Sequence, residues 1–284
     1  MTVTLPQQFQ DTMRELLAEE YQDYIKSMEE PSHTALRVNT HKISLTEFAE
    51  LCPFASEPVA WEPKGFYYDS TGAAVSKHPD YYAGLYYIQE PSAMIPAKLL
   101  PVEKGDRVLD LCAAPGGKAI HIAELLNGTG HVEARDLTEY KVALIRDNIE
   151  RSGLTNINAV CQDAAIYDPH KKETADIVIA DLPCSGLGVL GKKPDLRYKM
   201  NEKTEADLVE LQKKILAVVK DYVKPGGKLL YSTCTIHREE NEGNVEWFLK
   251  EYPEFELVKE KQMIPGRDAG DGFYIAILKR VNHE

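Results

Sequence analysis

From Gly105 onward the chain alternates short apolar runs with amphipathic ones, and this alternation restricts the fold more than any other feature. "DRVLDLCA", "GHVEARD", "NINAVCQD", "ADIVIADLP" and "GGKLLYSTC" read as strands. Between them, "GGKAIHIAELL", "TEYKVALIRDNIERSG" with its Thr start and Gly stop, and residues 202–223 carry helical spacing. Strands separated by helices imply a doubly wound, mostly parallel α/β sheet, because a parallel pair needs a crossover that packs on the sheet face. After a helix at 239–251, "EFELVKE" and "GFYIAILKR" follow with no helix between them, so they are predicted to close the sheet as an antiparallel edge pair. The expected fold is thus a seven-stranded Rossmann-like sheet.

Residues 1–100 follow a different pattern: amphipathic helix at 7–29, strand at 34–40, short helix at 46–51, strand or hairpin at 58–70, then a tyrosine-rich stretch turning helical after Pro91. They are read as a small α+β head on a catalytic domain of residues 101–284. No run of eighteen apolar residues is present, and the start shows no basic-then-apolar leader. The five cysteines are odd in number and include no C-x-x-C pair. A disulfide framework and a structural zinc site are therefore not expected, and a reducing, cytoplasmic location is.

The loop "DLCAAPGGK" (110–118) joins the first core strand to its helix. It is not a phosphate loop, because Cys112 and Ala119 stand where that pattern requires Gly and Ser or Thr. The dinucleotide G-x-G-x-x-G spacing is absent too. A glycine-rich first loop without phosphate chemistry suits S-adenosylmethionine, held by Cys112, Ala113, Ala114, Pro115, Gly116, Gly117 and Lys118. Asp136 ends the second core strand, where a carboxylate can accept ribose hydroxyls. Asp163 follows the third, within reach of an adenine amino group. One such Asp would read as a cap or turn former; Asp110, Asp136 and Asp163 at three consecutive strand ends point to a nucleoside.

Two cysteines occupy the ligand edge of such a sheet: Cys184 in "DLPCSG" and Cys234 in "YSTCT". Cys52, Cys112 and Cys161 read as ordinary small apolar residues. The motifs "DLCAAPGGK", "DLPCSGLG" and "YSTCT", in this order and spacing, resemble the Sun-type RNA cytosine-5 methyltransferases, and "RVNT" and "YYIQEPSAM" in the head match that family as well. The resemblance runs from about residue 34 to 280 and is closest to the bacterial ribosomal RNA branch. It implies methyl transfer from S-adenosylmethionine to carbon 5 of cytosine in RNA, with ribosomal RNA expected. It implies Cys234 as the nucleophile that bonds ring carbon 6, and Cys184 as the residue of the release step. Asp181, which also lies at the cofactor edge, would support ring nitrogen 3, and Lys118 would help hold the cytidine. A free thiol is only a few per cent ionised at neutral pH, and the cofactor's positive charge is the expected activator of Cys234.

RNA must be met by a chain of net charge −12. The candidate contact is "GKKPDLRYKMNEK" (191–203), with Lys192, Lys193, Arg197 and Lys199 directly after the Cys184 motif. Tyr81, Tyr82, Tyr86 and Tyr87 could stack on bases, with core packing expected for at least half of them. The core resembles a branch with an additional N-terminal RNA-binding domain, and the head a branch with a C-terminal extension; neither is expected from these residues. No metal and no membrane association are expected, and the protein is expected to be a monomer. Two other readings stand beside the enzyme: a non-catalytic RNA-binding ribosome-assembly factor of the same fold, which intact Cys184 and Cys234 oppose, and a small-molecule methyltransferase, which the basic loop and the head oppose.

Overall fold

The computed structural model describes residues 5–30, 33–69, 74–199 and 202–281. Its strands, in chain order, are β1 (Ala35–Val38), β2 (Ala55–Val59), β3 (Glu62–Tyr68), β4 (Tyr86–Ile88), β5 (Arg107–Asp110), β6 (His131–Asp136), β7 (Ile157–Cys161), β8 (Ala175–Asp181), β9 (Val223–Thr233), β10 (Phe255–Met263) and β11 (Phe273–Arg280). They form two sheets. The larger has seven strands in the order β10-β11-β9-β8-β5-β6-β7, parallel from β9 to β7, with β10 and β11 antiparallel at one end as expected.

Side chains of this sheet divide by strand alternation. Val108, Ile177, Ile179, Leu230, Ile275 and Ile277 pack under the helix Gly117–Leu126. Leu109, Val178, Ala180, Leu229, Tyr231 and Leu278 pack on the other face, against the helices Glu202–Val219 and Glu242–Glu251. Burial on both faces explains why the strands read as nearly continuous apolar runs. The helix Glu139–Ser152 begins at Thr138, whose hydroxyl accepts from the Lys141 amide, and stops at Gly153 with φ +75°, a left-handed turn that suits glycine. The glycine pair of "GGKLL" does not end an element. Gly226 and Gly227 lie inside β9, where the pairing with β8 jumps from Ala175↔Val223 to Ile177↔Lys228.

The head contributes an antiparallel sheet of order β2-β3-β1-β4. It is tied to the helix Gly117–Leu126 through buried polar contacts. Arg37, fully buried, pairs with Glu124 and donates from Nε to Gln89 Oε1 at 3.0 Å. His121 Nε2 lies 3.2 Å from Glu62 Oε2; burial, helped by Arg37, holds its imidazole down at about 4, so it is a neutral hydrogen-bond donor at pH 7. Gly84 sits so close to the end of the helix Glu139–Ser152 that a Cβ would lie 1.8 Å from the Arg151 carbonyl oxygen.

The N-terminal helices, Gln7–Leu17 and Tyr21–Ser27, do not pack on the head sheet. Phe9, Met13, Leu17, Tyr21 and Tyr24 cluster instead with Leu187, Leu190, Ile236 and Ile264 of the larger unit, and the Tyr24 hydroxyl donates to the Leu187 carbonyl at 2.7 Å. No helix among the described residues is long and apolar enough to cross a membrane.

Candidate active site

The winding of the sheet reverses at β5, which is flanked by β6 on one side and β8 on the other. A crevice opens there at the carboxyl ends of the strands, the place where open α/β sheets bind ligands. Parallel register lines the strand ends up: Asp110 stands opposite Ile179, and Asp181 opposite Ser232. Cys234 follows β9 by one residue, so the acidic ends of β5 and β8 and the thiol after β9 form one row.

The loop after β5 closes the crevice from the side. Ala113 donates its amide to the Arg135 carbonyl at 2.8 Å, and Gly116 adopts φ +108° before the helix starts at Gly117. A Cβ on Gly117 would meet the Tyr87 ring at 2.9 Å, so glycine lets the head's β4 approach the loop. The crevice is lined from the head by Tyr87, Gln89 and Glu90, and from the catalytic unit by Asp110, Cys112–Pro115, Lys118 and Asp181.

Asp110 is fully buried, and neither carboxylate oxygen has a hydrogen-bond partner. Burial first, then the nearby Asp181 charge, push its carboxyl up to about 7. A lining with Asp110, Asp181 and Glu90 set against the single ammonium of Lys118 repels phosphate and favours a cation. A sulfonium nucleoside with a terminal ammonium fits this donor set, and the orphaned Asp110 carboxylate is the group it would satisfy.

Asp136 and Asp163 both accept hydrogen bonds from backbone amides at the strand ends. Asp136 Oδ2 accepts from the Ala114 amide at 3.0 Å, and its Oδ1 accepts from Leu137 N at 2.7 Å and faces Lys141 Nζ at 3.0 Å. It braces the glycine loop. Asp163 Oδ1 accepts from Ala165 N at 2.8 Å, as a turn former does. Asp136 ends β6 and Asp163 follows β7 by two residues, at the carboxyl edge beside the glycine loop.

Lys118 and Asp181 are brought together. The Lys118 ammonium donates to Asp181 Oδ2 at 2.6 Å and lies 5.1 Å above the Phe273 ring, while the Ser232 hydroxyl donates to Asp181 Oδ1 at 2.7 Å. Burial works against the ammonium, but Asp181, with Asp110 and Cys234, outweighs it and raises the Lys118 pKa. Both Asp181 oxygens accept hydrogen bonds here, one from the Lys118 ammonium and one from the Ser232 hydroxyl.

Cys184 and Cys234, fifty residues apart, face each other with their Sγ atoms 3.3 Å apart, each partly buried. The hydrogen bond from Cys184 lowers the Cys234 pKa against burial and Asp181, with help from the positive charges of Lys118 and Lys193. Cys184 is shifted the other way, well upward, by its bond to Cys234, by burial and by Glu240. The two shifts run in opposite directions and favour Cys184 as the S–H donor and Cys234 as the thiolate. Sequence reasoning left the activation of Cys234 to the cofactor alone; Cys184 and Lys118 already supply part of it. Cys52 is buried in the head core, and burial with nearby carboxylates holds the Cys112 thiol well above its ordinary range.

The basic run is only partly free. Lys192 is engaged by Asp271 Oδ2 at 2.7 Å, with Glu90 at 3.9 Å. Arg197 is half-buried with its Nε turned inward. Lys193 is exposed, and the Lys199 side chain lies outside the described residues. Of the head tyrosines, Tyr86 is buried with its hydroxyl on the Val75 carbonyl, Tyr81 packs against the Tyr86 ring, Tyr87 lines the crevice, and Tyr82 is exposed.

Sequence reading missed Gln212, Glu240, Asn241 and Asn244, all fully buried beside the two cysteines. A usable signal exists: Asn241 and Asn244 share the helical stripe of Val245 and Phe248, where a solvent-facing polar residue is out of place.

Known proteins show the same organisation. Residues 97–279 match the family model described as 16S rRNA methyltransferase RsmB/F, and residues 5–91 match the N-terminal domain of 16S rRNA methyltransferase RsmF. Ribosomal RNA small subunit methyltransferase F of Cronobacter sakazakii is 32% identical over 98% of this chain and 64% of its own length. A probable ribosomal RNA small subunit methyltransferase B of Bacillus subtilis is 36% identical over 88% of this chain and 60% of its own. The chain thus spans under two thirds of the length of these relatives. A methyltransferase homolog from Pyrococcus horikoshii superposes with a TM-score of 0.84 at 27% identity, covering 95% of this chain and 94% of that one. With a family model matched over residues 97–279, the glycine-rich loop and both cysteine motifs included, this chain belongs to the 16S rRNA methyltransferase RsmB/F family.

Proposed function

We propose that this chain transfers a methyl group from S-adenosylmethionine to carbon 5 of a cytosine in RNA, with ribosomal RNA as the substrate. One observation carries the reading: two thiols 3.3 Å apart at the end of the strand row where the Lys118–Asp181 pair also lies.

Carbon 5 of cytosine is a poor nucleophile. The Cys234 thiolate bonds ring carbon 6, and the carbon 5–carbon 6 π pair moves toward carbon 5, making it enamine-like. The Lys118 ammonium, held by Asp181, donates toward ring nitrogen 3 as negative charge builds there. When bound, S-adenosylmethionine supplies an electrophilic methyl on a sulfonium centre, with Asp110 and the loop Cys112–Lys118 as its cradle. Release reverses the first step. A proton leaves carbon 5, its electron pair re-forms the ring double bond, and the carbon 6–sulfur bond breaks to return the Cys234 thiolate. Cys184, already hydrogen-bonded to that sulfur, is the residue of this step.

The target base must be unstacked to reach the crevice. Lys193, exposed and close enough for its charge to act on Cys234, is the basic residue best set to guide the RNA strand. The proposal includes a working boundary near residue 100, a cytoplasmic location and a monomer. Incubation with labelled S-adenosylmethionine and small-subunit ribosomal RNA, followed by mapping of 5-methylcytosine, tests it. A labelled cytosine carbon 5 is the expected outcome; label on another atom, or none on any RNA, would refute it.

A further inference from the structure

The two thiols lie on loops fifty residues apart in sequence, so their separation must be set by groups that hold both loops. The residues flanking Cys184 are gripped from one side. Gln212 Nε2 donates to the Pro183 carbonyl at 2.8 Å, and Glu240 Oε2 accepts from the Ser185 amide at 3.0 Å. Gln212 also donates to Glu240 Oε2 at 2.9 Å, which closes the grip. The residues flanking Cys234 are held by the next residue in the chain. Asn241 Oδ1 accepts from the Thr233 hydroxyl at 2.6 Å, and its Nδ2 donates to the Thr235 carbonyl at 3.0 Å. A third contact, Ser185 Oγ to Thr235 Oγ1 at 2.7 Å, joins the two loops directly.

Glu240 and Asn241 are both fully buried. A carboxylate is an expensive way to fill a core, and an apolar side chain of similar size would be tolerated there at lower electrostatic cost. A buried amide that bonds both threonines bracketing one cysteine, and is itself held by Gln262 Oε1 at 2.7 Å, is equally specific. Both are fully buried behind the loops that carry the thiols, so they act through those loops and not on a bound base.

We propose that Glu240 and Asn241 are positioning residues that serve the two thiols separately: Asn241 fixes Cys234 for attack, and Glu240, with Gln212, fixes Cys184 for release. The inference rests on the cytosine-5 reading of the site. The negative charge of Glu240 also disfavours a thiolate on Cys184, which keeps the pair polarised toward Cys234.

The test uses shape-conserving variants of the full chain. Glu240→Gln removes the charge, and Gln212→Met removes the donor to Pro183 and Glu240 and the acceptor of Asn244 while leaving the Ser185 bond to Glu240 in place. Asn241→Asp keeps the acceptor for Thr233 and removes the donor to Thr235 and to Gln262. Each is assayed for cofactor affinity by calorimetry, for methyl transfer in a single turnover, and for protein covalently attached to RNA on a denaturing gel. Glu240→Gln and Gln212→Met are expected to accumulate adduct about tenfold or more over wild type, with single-turnover methylation little changed, because each loosens at least one hydrogen bond to the Cys184 loop. Asn241→Asp is expected to slow methylation about tenfold without accumulating adduct. Cofactor affinity should stay at the wild-type value in all three. Parallel loss of methylation and adduct in all three would assign these residues to general folding and overturn the inference. So would wild-type turnover in all three. Cys184→Ala, run beside them, separates the two levels. If it traps adduct and neither Glu240→Gln nor Gln212→Met does, the positioning inference fails; if it traps none, the release role of Cys184 fails beneath it.

Discussion

The Asp110 carboxylate should impose a pH dependence on stability that Asp110→Asn removes. Its pKa is pushed from 3.8 up to about 7, chiefly by complete burial. With the folded value above the unfolded one, the folded state holds the extra proton between these limits. Its contribution to stability is therefore fully present below pH 3.8 and is lost as pH rises through 7. At about 1.4 kcal/mol per unit, the loss reaches about 3 kcal/mol at pH 6 and levels off near 4 kcal/mol at pH 8. Asn does not titrate, so the stability of the variant relative to wild type should rise by about 1.4 kcal/mol between pH 6 and 8, whatever the fixed cost of the amide. Urea unfolding of the ligand-free protein at pH 6, 7 and 8 measures it, with fits held to a common slope. A stability difference that does not change over this range would refute the reasoning. It would mean that water or local movement already satisfies the carboxylate. A cationic ligand favours the ionised carboxylate, so S-adenosylmethionine affinity should increase from pH 6 to 8 in wild type and vary less in the variant.

Other consequences concern the thiols, the acid pair and the basic loop. Cys234→Ala should abolish methylation and the covalent RNA complex, whereas Cys184→Ala should transfer methyl and accumulate the complex as a slow band on a denaturing gel; the opposite pattern would exchange their roles. Asp181→Asn should lower single-turnover methylation by 10²-fold or more, as expected for loss of the group that holds a positioned proton donor, with RNA affinity nearly unchanged; an unimpaired rate would remove the Lys118–Asp181 pair from the chemistry. Lys193→Glu should weaken RNA binding and flatten its salt dependence more than Lys192→Glu does, because Lys192 is neutralised by Asp271; equal slopes would show that the ion pair opens on RNA. Asp136→Ala should weaken cofactor binding by about 1–3 kcal/mol in calorimetry through loss of the Ala114 brace, and unchanged affinity would show that the loop holds its shape without it.

The order of strands and helices from Gly105 onward was legible because burial on both faces of a parallel sheet leaves a local imprint, an apolar run between amphipathic ones. The helix at Glu139–Ser152 was legible for a similar reason, since Thr138 and Gly153 carry their capping chemistry at their own positions. Candidate residues at strand ends were equally visible: Asp110, Asp181, Cys184 and Cys234 all stand where the topology puts a ligand edge. Partner choice among charged residues was not visible. Lys192 looks free in sequence, but Asp271 and Glu90 reach it from parts of the chain 79 residues ahead and about 100 behind. Asp136 and Asp163 turn to neighbouring amides, and only the fold of each loop decides that.

By itself, then, the sequence determined the kind of sheet, the elements that build it, and which residues with reactive side chains stand at its ligand edge. These follow from periodicity and from short-range backbone chemistry, which are encoded locally. Tertiary structure alone decided that the N-terminal helices cover the Cys184 loop and not the head sheet. It alone brought two thiols from separate loops to 3.3 Å and set Lys118 on one side of them and Glu240 on the other. Which of two equal thiols becomes the nucleophile depends on those through-space fields and on a few hydrogen bonds between distant segments, and no local pattern in the chain records either.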